Sequence, residues 1–199
     1  MNRREVLQRT AAVLGYAVTG PALAGIMNGC KPAPELTYTP DFFTEAEAQR
    51  ISLLVEILLP RTDTPGALDA GVPGFIDDML RHTFPAADQE AFRKGLTEFN
   101  EEARKAFGDD FEDARPEDQA ALVKKLHDTA MAGRTNDNTS GWWGSGQVEK
   151  PFIIKVKELT LIGFFTSEAG ATQVLQYNQV PGPYQGCVPL ATVGKTWAT

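Results

Sequence analysis

His82 and His127 are the only imidazoles in the 199-residue chain, and neither has a second ligand at the spacing a metal site needs. His82 falls near a predicted helix C-terminus, where a cation offsets the exposed carbonyl dipoles; His127 falls on a predicted charged helix face. None of Ser52, Ser140, Ser145 and Ser167 stands in the Gly-x-Ser-x-Gly turn that lifts a nucleophilic serine above a sheet. No Gly-x-Gly-x-x-Gly and no phosphate-cradling Gly-Lys loop occurs. Carboxylates stand close together at Asp77 and Asp78, at Glu101 and Glu102, and at Asp109, Asp110, Glu112 and Asp113. Such groups could work as general acid and base, but charge runs of this kind read as solvated faces. Asn136, Asn138 and Ser140 before Gly141 resemble half a calcium loop, with Gln147 where a bidentate glutamate belongs. The sequence therefore assigns this chain no catalytic residue, no cofactor site and no metal site.

The two cysteines, Cys30 and Cys187, are too few to hold an iron–sulfur cluster, and no Cys-x-x-Cys-His is present to attach a haem. In an oxidising compartment they could pair with each other; with Cys30 modified or removed, Cys187 is left for another chain. The net charge is −7, which repels phosphate and argues against nucleic-acid binding. Residues 1–29 read as an export signal: Arg3 and Arg4 lead a short apolar run interrupted by Gly15, Gly20 and Pro21. That run falls short of the ~20 residues a spanning helix requires. Gly29-Cys30 makes Cys30 a candidate lipidation site, while Ala22-Leu23-Ala24 could serve an ordinary peptidase. Either way the protein is expected in the periplasm, on a membrane only through its signal or a lipid anchor.

Residues 30–41 form a proline-bearing tether, and the elements follow. Thr44 with Glu47 is a capping box, and Ile51, Leu54, Val55 and Leu58 repeat at helical spacing until Pro60. After turn chemistry over 61–71, a second helix starts near Pro73, with Phe75, Ile76, Met79 and Leu80 on one face, and stops before Pro85. A third helix runs from Ala86 to Phe107 with a stripe of Phe92, Leu96, Phe99 and Ala103. Residues 108–115 are an acidic loop, Pro116 opens a fourth helix, and Pro151 a fifth. The expected fold is all-α: five helices in one small domain, 42–175, with an irregular, extended C-terminal arm at 176–199. The fifth helix is apolar around most of its circumference, so it must be a central core helix or have a second face covered by a partner.

Three stretches carry a resemblance to the gluconate 2-dehydrogenase subunit 3 family, the small subunit of periplasmic flavoprotein dehydrogenases. The first is the leader with Arg3-Arg4 and Gly29-Cys30, which departs from the stronger twin-arginine pattern at Val6 and Gln8. The second is Ile57-Leu58-Leu59-Pro60-Arg61-Thr62-Asp63-Thr64-Pro65-Gly66-Ala67, continuing to Pro73. The third joins Leu159-Thr160-Leu161-Ile162-Gly163-Phe164-Phe165-Thr166-Ser167-Glu168 to Gly170, Tyr177 and the segment Val180 to Cys187. The likeness spans residues 42–190. It implies a non-catalytic partner of a large FAD-binding subunit of the glucose–methanol–choline type, with FAD held in that partner and electrons passed on to a cytochrome c subunit or another acceptor. It also implies an escort role, since the twin-arginine route exports folded cargo. A free-standing envelope lipoprotein is the alternative.

Under that resemblance the shared segments read as scaffold and interface. Trp142, Trp143, Phe164, Phe165, Tyr177 and Tyr184 are the candidate interface anchors, because large aromatics are enriched in such patches. Gly163 and Gly170 cost helix stability, which the close approach of another backbone would explain. Cys187 in its Gly- and Pro-bearing arm is the candidate for an inter-subunit disulfide.

Overall fold

The computed structural model describes residues 36–133, 150–180, 182–183 and 186–198, all within the compact unit Pro34–Thr199. Five long helices follow one another: α1 Glu45–Leu58, α2 Val72–His82, α3 Ala86–Phe107, α4 Pro116–Ala132 and α5 Phe152–Thr166. A 3-10 turn, Phe111–Asp113, precedes α4; a π-turn, Gly170–Val174, follows α5; and a short helix, α6, spans Leu190–Val193. No strand occurs among the described residues. The all-α expectation holds, and each of the five long helices starts within a residue of where the sequence reading places its start.

Local chemistry explains those boundaries. At the start of α1 the Thr44 N–H donates to Glu47 Oε2 (2.8 Å) and the Glu47 N–H donates to Thr44 Oγ1, so two orphan donors are satisfied reciprocally. The α1 chain ends where Leu59 leaves helical geometry just before Pro60. Gly71 enters α2 at φ 69°, a left-handed conformation that a side chain would strain, and proline lies in the first turn.

α5 is the axis of the packing: it lies against α1, α2, α3 and α4, which accounts for apolar residues on most of its sides. Gly95 of α3 leaves the space that the Phe152 ring occupies, since a Cβ there would come within 2.6 Å of it. From that notch a row of phenylalanine rings crosses the molecule. Phe42 meets Phe43 at 5.0 Å, Phe43 meets Phe92 at 6.0 Å, and Phe92 meets Phe152 at 5.2 Å. Phe152 then meets Phe99 at 5.9 Å, and Phe99 meets Phe111 at 4.8 Å. Tilted and edge-on rings at these spacings add to the stabilisation from area burial alone. The row joins the segment before α1 to the turn before α4, which lie far apart in the chain.

Two acidic stretches expected on solvated faces are instead structural. Asp77 is 1% exposed and accepts from the backbone N–H groups of Asp41, Phe42 and Phe43 at 2.8–3.1 Å. A carboxylate carries enough acceptor sites to end three orphan donors at once. The acidic loop turns inward for a different reason: Phe111 is fully buried and draws its neighbours with it. The Phe111 N–H donates to Asn100 Oδ1 (2.9 Å), its carbonyl accepts from Gln119 Nε2 (2.7 Å), and Glu112 receives a two-pronged ion pair from Arg50 at 2.7 and 2.9 Å. Asp110 accepts from Arg104 and Asn100, which hold its carboxyl below the ordinary value. Asp78, by contrast, is exposed as expected.

His127 also departs from its expected open face. It is three-quarters buried, with Nε2 2.8 Å from Lys157 Nζ of α5, because α5 covers the side of α4 that its charges had marked as exposed. His82 does end α2, with Asp41 3.9 Å away.

Candidate partner-binding surface

The last third of the chain has a different surface from the rest. Of the seven large hydrophobic residues exposed among the described residues, only Met131 precedes residue 160. The other six are Leu161, Phe165, Tyr177, Val180, Val188 and Trp197. Leu161 and Phe165 are 37% and 39% exposed and lie four residues apart, hence on one stripe of α5. Tyr177 and Val180 stand out further, at 60% and 77%. Single exposed apolar side chains are ordinary; six of the seven falling in the last third of the chain make that segment the candidate contact surface.

Each part of this surface is held from below. On α5, Val156, Leu159 and Phe164 fill the core while Leu161 and Phe165 point outward. Phe164 was expected at an interface and belongs to the core instead, 2% exposed; its ring meets Phe165 edge-on at 5.2 Å and supports it. The close approach at Gly163 comes from a ring, not a backbone: a Cβ would sit 2.6 Å from Phe75 of α2. At Gly170 the approach is of backbone, since a Cβ would overlap the Phe164 carbonyl oxygen. Ser167 closes the helix end there. Its hydroxyl donates to the Phe164 carbonyl (2.6 Å) and accepts from the Gly170 N–H (3.0 Å).

Beyond the π-turn the arm is a closed loop and not an extended tail. Gln176 pairs with the chain end: its N–H donates to the Thr196 carbonyl (2.8 Å), and its own carbonyl accepts from the Ala198 N–H (3.0 Å). Lys195 Nζ donates to the Gln173 carbonyl at 3.2 Å. Residues 177–195 are thereby tied at their base and carry Val180, Val188 and an exposed, free Cys187. Sequence reasoning missed this closure because the two pairing residues, Gln176 and Trp197, show no strand pattern and lie far apart in the chain.

Alongside stands the turn between α1 and α2. It is bonded to itself: Thr62 N–H to the Thr64 carbonyl, Ala67 N–H to the Leu59 carbonyl, Gly66 N–H to Asp69 Oδ2, and Arg61 Nη1 to Asp69 Oδ1. Gly66 lies so close to the Arg61 backbone that a Cβ would come within 2.6 Å of its nitrogen. The result is a rigid polar rim facing Ala169 and Gln173 across an open depression of about 310 Å³.

Arg3, Arg4, Cys30, Trp142, Trp143, Tyr184 and the half calcium loop at 136–147 lie outside the described residues. Among the described residues no three His, Cys, Asp or Glu side chains converge as a metal site would need, and no helix is long and apolar enough to cross a membrane. No curated protein and no solved structure matches the chain. The model of the gluconate 2-dehydrogenase subunit 3 family matches residues 45–182, from the start of α1 to the near side of the C-terminal loop, and the chain belongs to that family, whose members are small subunits of multi-subunit dehydrogenase complexes.

Proposed function

We propose that the chain is the non-catalytic small subunit and export escort of an FAD-dependent dehydrogenase that oxidises CH–OH groups of sugars, sugar acids or glycosides. The observation that carries this reading is the exposed apolar surface of the last third of the chain, Leu161, Phe165, Tyr177 and Val180, inside the segment that matches a dehydrogenase-subunit family. The partner is a large flavoprotein of the glucose–methanol–choline type, which holds the FAD and performs the hydride chemistry; electrons leave it for a cytochrome c subunit or another acceptor. The small subunit contributes binding surface and stability. Its leader, with Arg3 and Arg4, carries the assembled pair to the periplasm through a route that accepts folded cargo, with Cys30 as the lipid attachment. Cys187, free and exposed, is the candidate for a disulfide with the partner, which the oxidising compartment would permit.

A tagged pull-down from envelope extracts tests the reading, with the eluate assayed for flavin absorbance and dye-linked sugar oxidation. The expected result is a yellow large subunit that stays in the cytoplasm when Arg3 and Arg4 are both changed to lysine. A colourless single band, with the tag still outside the cytoplasm, would replace the escort by a free-standing envelope lipoprotein.

A further inference from the structure

Two nitrogen groups meet where α4 packs on α5. His127 Nε2 of α4 lies 2.8 Å from Lys157 Nζ of α5, in a ring about a quarter exposed. An ammonium group carries donors and no acceptor, so this bond forms only when Lys157 donates and Nε2 keeps its lone pair. The ring proton is then left on Nδ1, which faces Asp128 Oδ1 at 3.5 Å. One distance thus sets both the charge and the tautomer of His127: neutral, with the proton on Nδ1.

The neighbouring charges leave this bond exposed to acid. Lys157 has no carboxylate partner among the described residues, whereas Lys150 and Glu158, at the start of α5, are closed on each other at 2.8 Å. On α4, Lys124 bonds Asp128 at 2.6 Å and, with a smaller contribution from His127, holds its carboxyl below the ordinary value. Asp128 therefore stays charged across the range in which an imidazole titrates. Of the other helices against α4, Arg50 of α1 is committed to Glu112 and Lys105 of α3 to Glu102. The ring is met by one cation across the junction and one carboxylate beside it in sequence.

An imidazole gains its second proton between about pH 8 and 5. That proton takes the lone pair Lys157 needs and sets two cations at hydrogen-bond distance. Lys157 then turns to water, and the bond joining α4 to α5 is lost. Asp128, more than half exposed, offsets little of that loss. We infer that His127 and Lys157 form a proton-operated latch between α4 and α5, closed while the imidazole is neutral and opened by acidification. A bond that exists only with the neutral ring adds stability at the alkaline end of the range and none at the acid end. The latch belongs to this chain alone and does not depend on the partner subunit.

The test is thermal unfolding of the full chain at about pH 8 and about pH 5, comparing wild type with His127→Gln and Lys157→Met. A glutamine carbonyl accepts from Lys157 at either pH, so His127→Gln keeps the latch without its proton switch. Between the two pH values the wild-type midpoint should fall by roughly 2–4 °C more than that of His127→Gln. Groups that titrate in both chains, His82 included, cancel in this difference. Lys157→Met leaves the charged ring facing only Asp128, and the extra fall should vanish or change sign. Nitrogen NMR of the wild-type ring at the alkaline end should show Nδ1 protonated and Nε2 bare, a signature that packing alone does not dictate. Equal pH dependence in wild type and His127→Gln, or a ring protonated on Nε2, would overturn the latch.

Discussion

The chain from Phe42 to Ala132 and the chain from Leu161 onward solve opposite problems. In the first, polar residues are drawn inward and bonded: Asp77 holds three backbone N–H groups, Arg50 meets Glu112, and Asn100 and Gln119 secure both sides of Phe111. In the second, apolar residues are pushed outward on a framework tied by Ser167 and Gln176. The first region is complete within this chain, because every buried charge named has its partner. The second leaves apolar area in water that burial against another surface would remove, at ~25 cal/mol per Å². A small domain with limited core keeps its internal bonds for stability and its exposed apolar groups for association.

The sharpest way to break the contrast is at Asp77. Asp77→Ala strands three donors in the segment that feeds the phenylalanine row, and should cost about 4 kcal/mol, measured by urea denaturation. A loss below about 1 kcal/mol would mean that water reaches Asp41 to Phe43 and that the first region is less closed than its bonding implies.

Next comes the junction between the regions. Gly163→Ala drives a methyl into Phe75 and should cost about 2 kcal/mol through overpacking of α5 on α2. Gly95→Ala should do the same against Phe152. Unchanged melting midpoints in both variants would show that those rings can turn aside.

These residues also mark how far the sequence could be read. The helices were legible because each has its punctuation: the Thr44–Glu47 box, the prolines at 60, 116 and 151, and periodic apolar stripes. The inward-turned polar residues are not, since a carboxylate run reads as a solvated face and a lone amide carries no signal in composition. Yet position announces them. Asp77 lies on the stripe of Pro73, Ile76 and Leu80, Asn100 on that of Leu96 and Ala103, and Gln119 on that of Leu122 and Val123. A polar residue in an apolar register is a buried bond awaiting its partner, and that rule would have found all three. Phe164 and Phe165 show the reverse limit. The run of apolar residues could not say which of two neighbours faces out, because that depends on α2, whose contact through Phe75 fixes the rotation of α5. The loop closure at Gln176 left no trace in composition at all.

A smaller effect is expected at the capping box. Burial pushes the Glu47 carboxyl up, but the backbone N–H and hydroxyl of Thr44 and the Arg93 guanidinium outweigh it and hold the group below its ordinary 4.5. A depressed folded value means that stability is fully present above 4.5 and is lost as pH falls through the folded value. Thr44→Ala should cost about 1 kcal/mol at neutral pH, and the loss should shrink on acidification below that range. A penalty independent of pH would assign the effect to helix geometry and not to the charge.

The smallest effect on folding for the apolar bulk removed is expected where the comparison says most about function. Leu161→Ser with Phe165→Ser removes two apolar side chains from α5, each already more than a third exposed, so the fold should lose only about 2–3 kcal/mol for the pair. A core reading of α5 predicts otherwise, since truncating two buried side chains of this size costs at least about twice as much. Denaturation of the isolated chain measures that term alone. Recovery of the flavoprotein then measures association, which should fall at least tenfold if this stripe is an apolar anchor. A core-sized loss of stability together with loss of the partner would move Leu161 and Phe165 into the core. Loss of neither would shift the contact surface to the loop of Tyr177, Val180 and Cys187. Loss of the partner with the fold intact is the outcome that separates the two regions, because only then are the exposed residues of α5 held out of the core for something other than this chain.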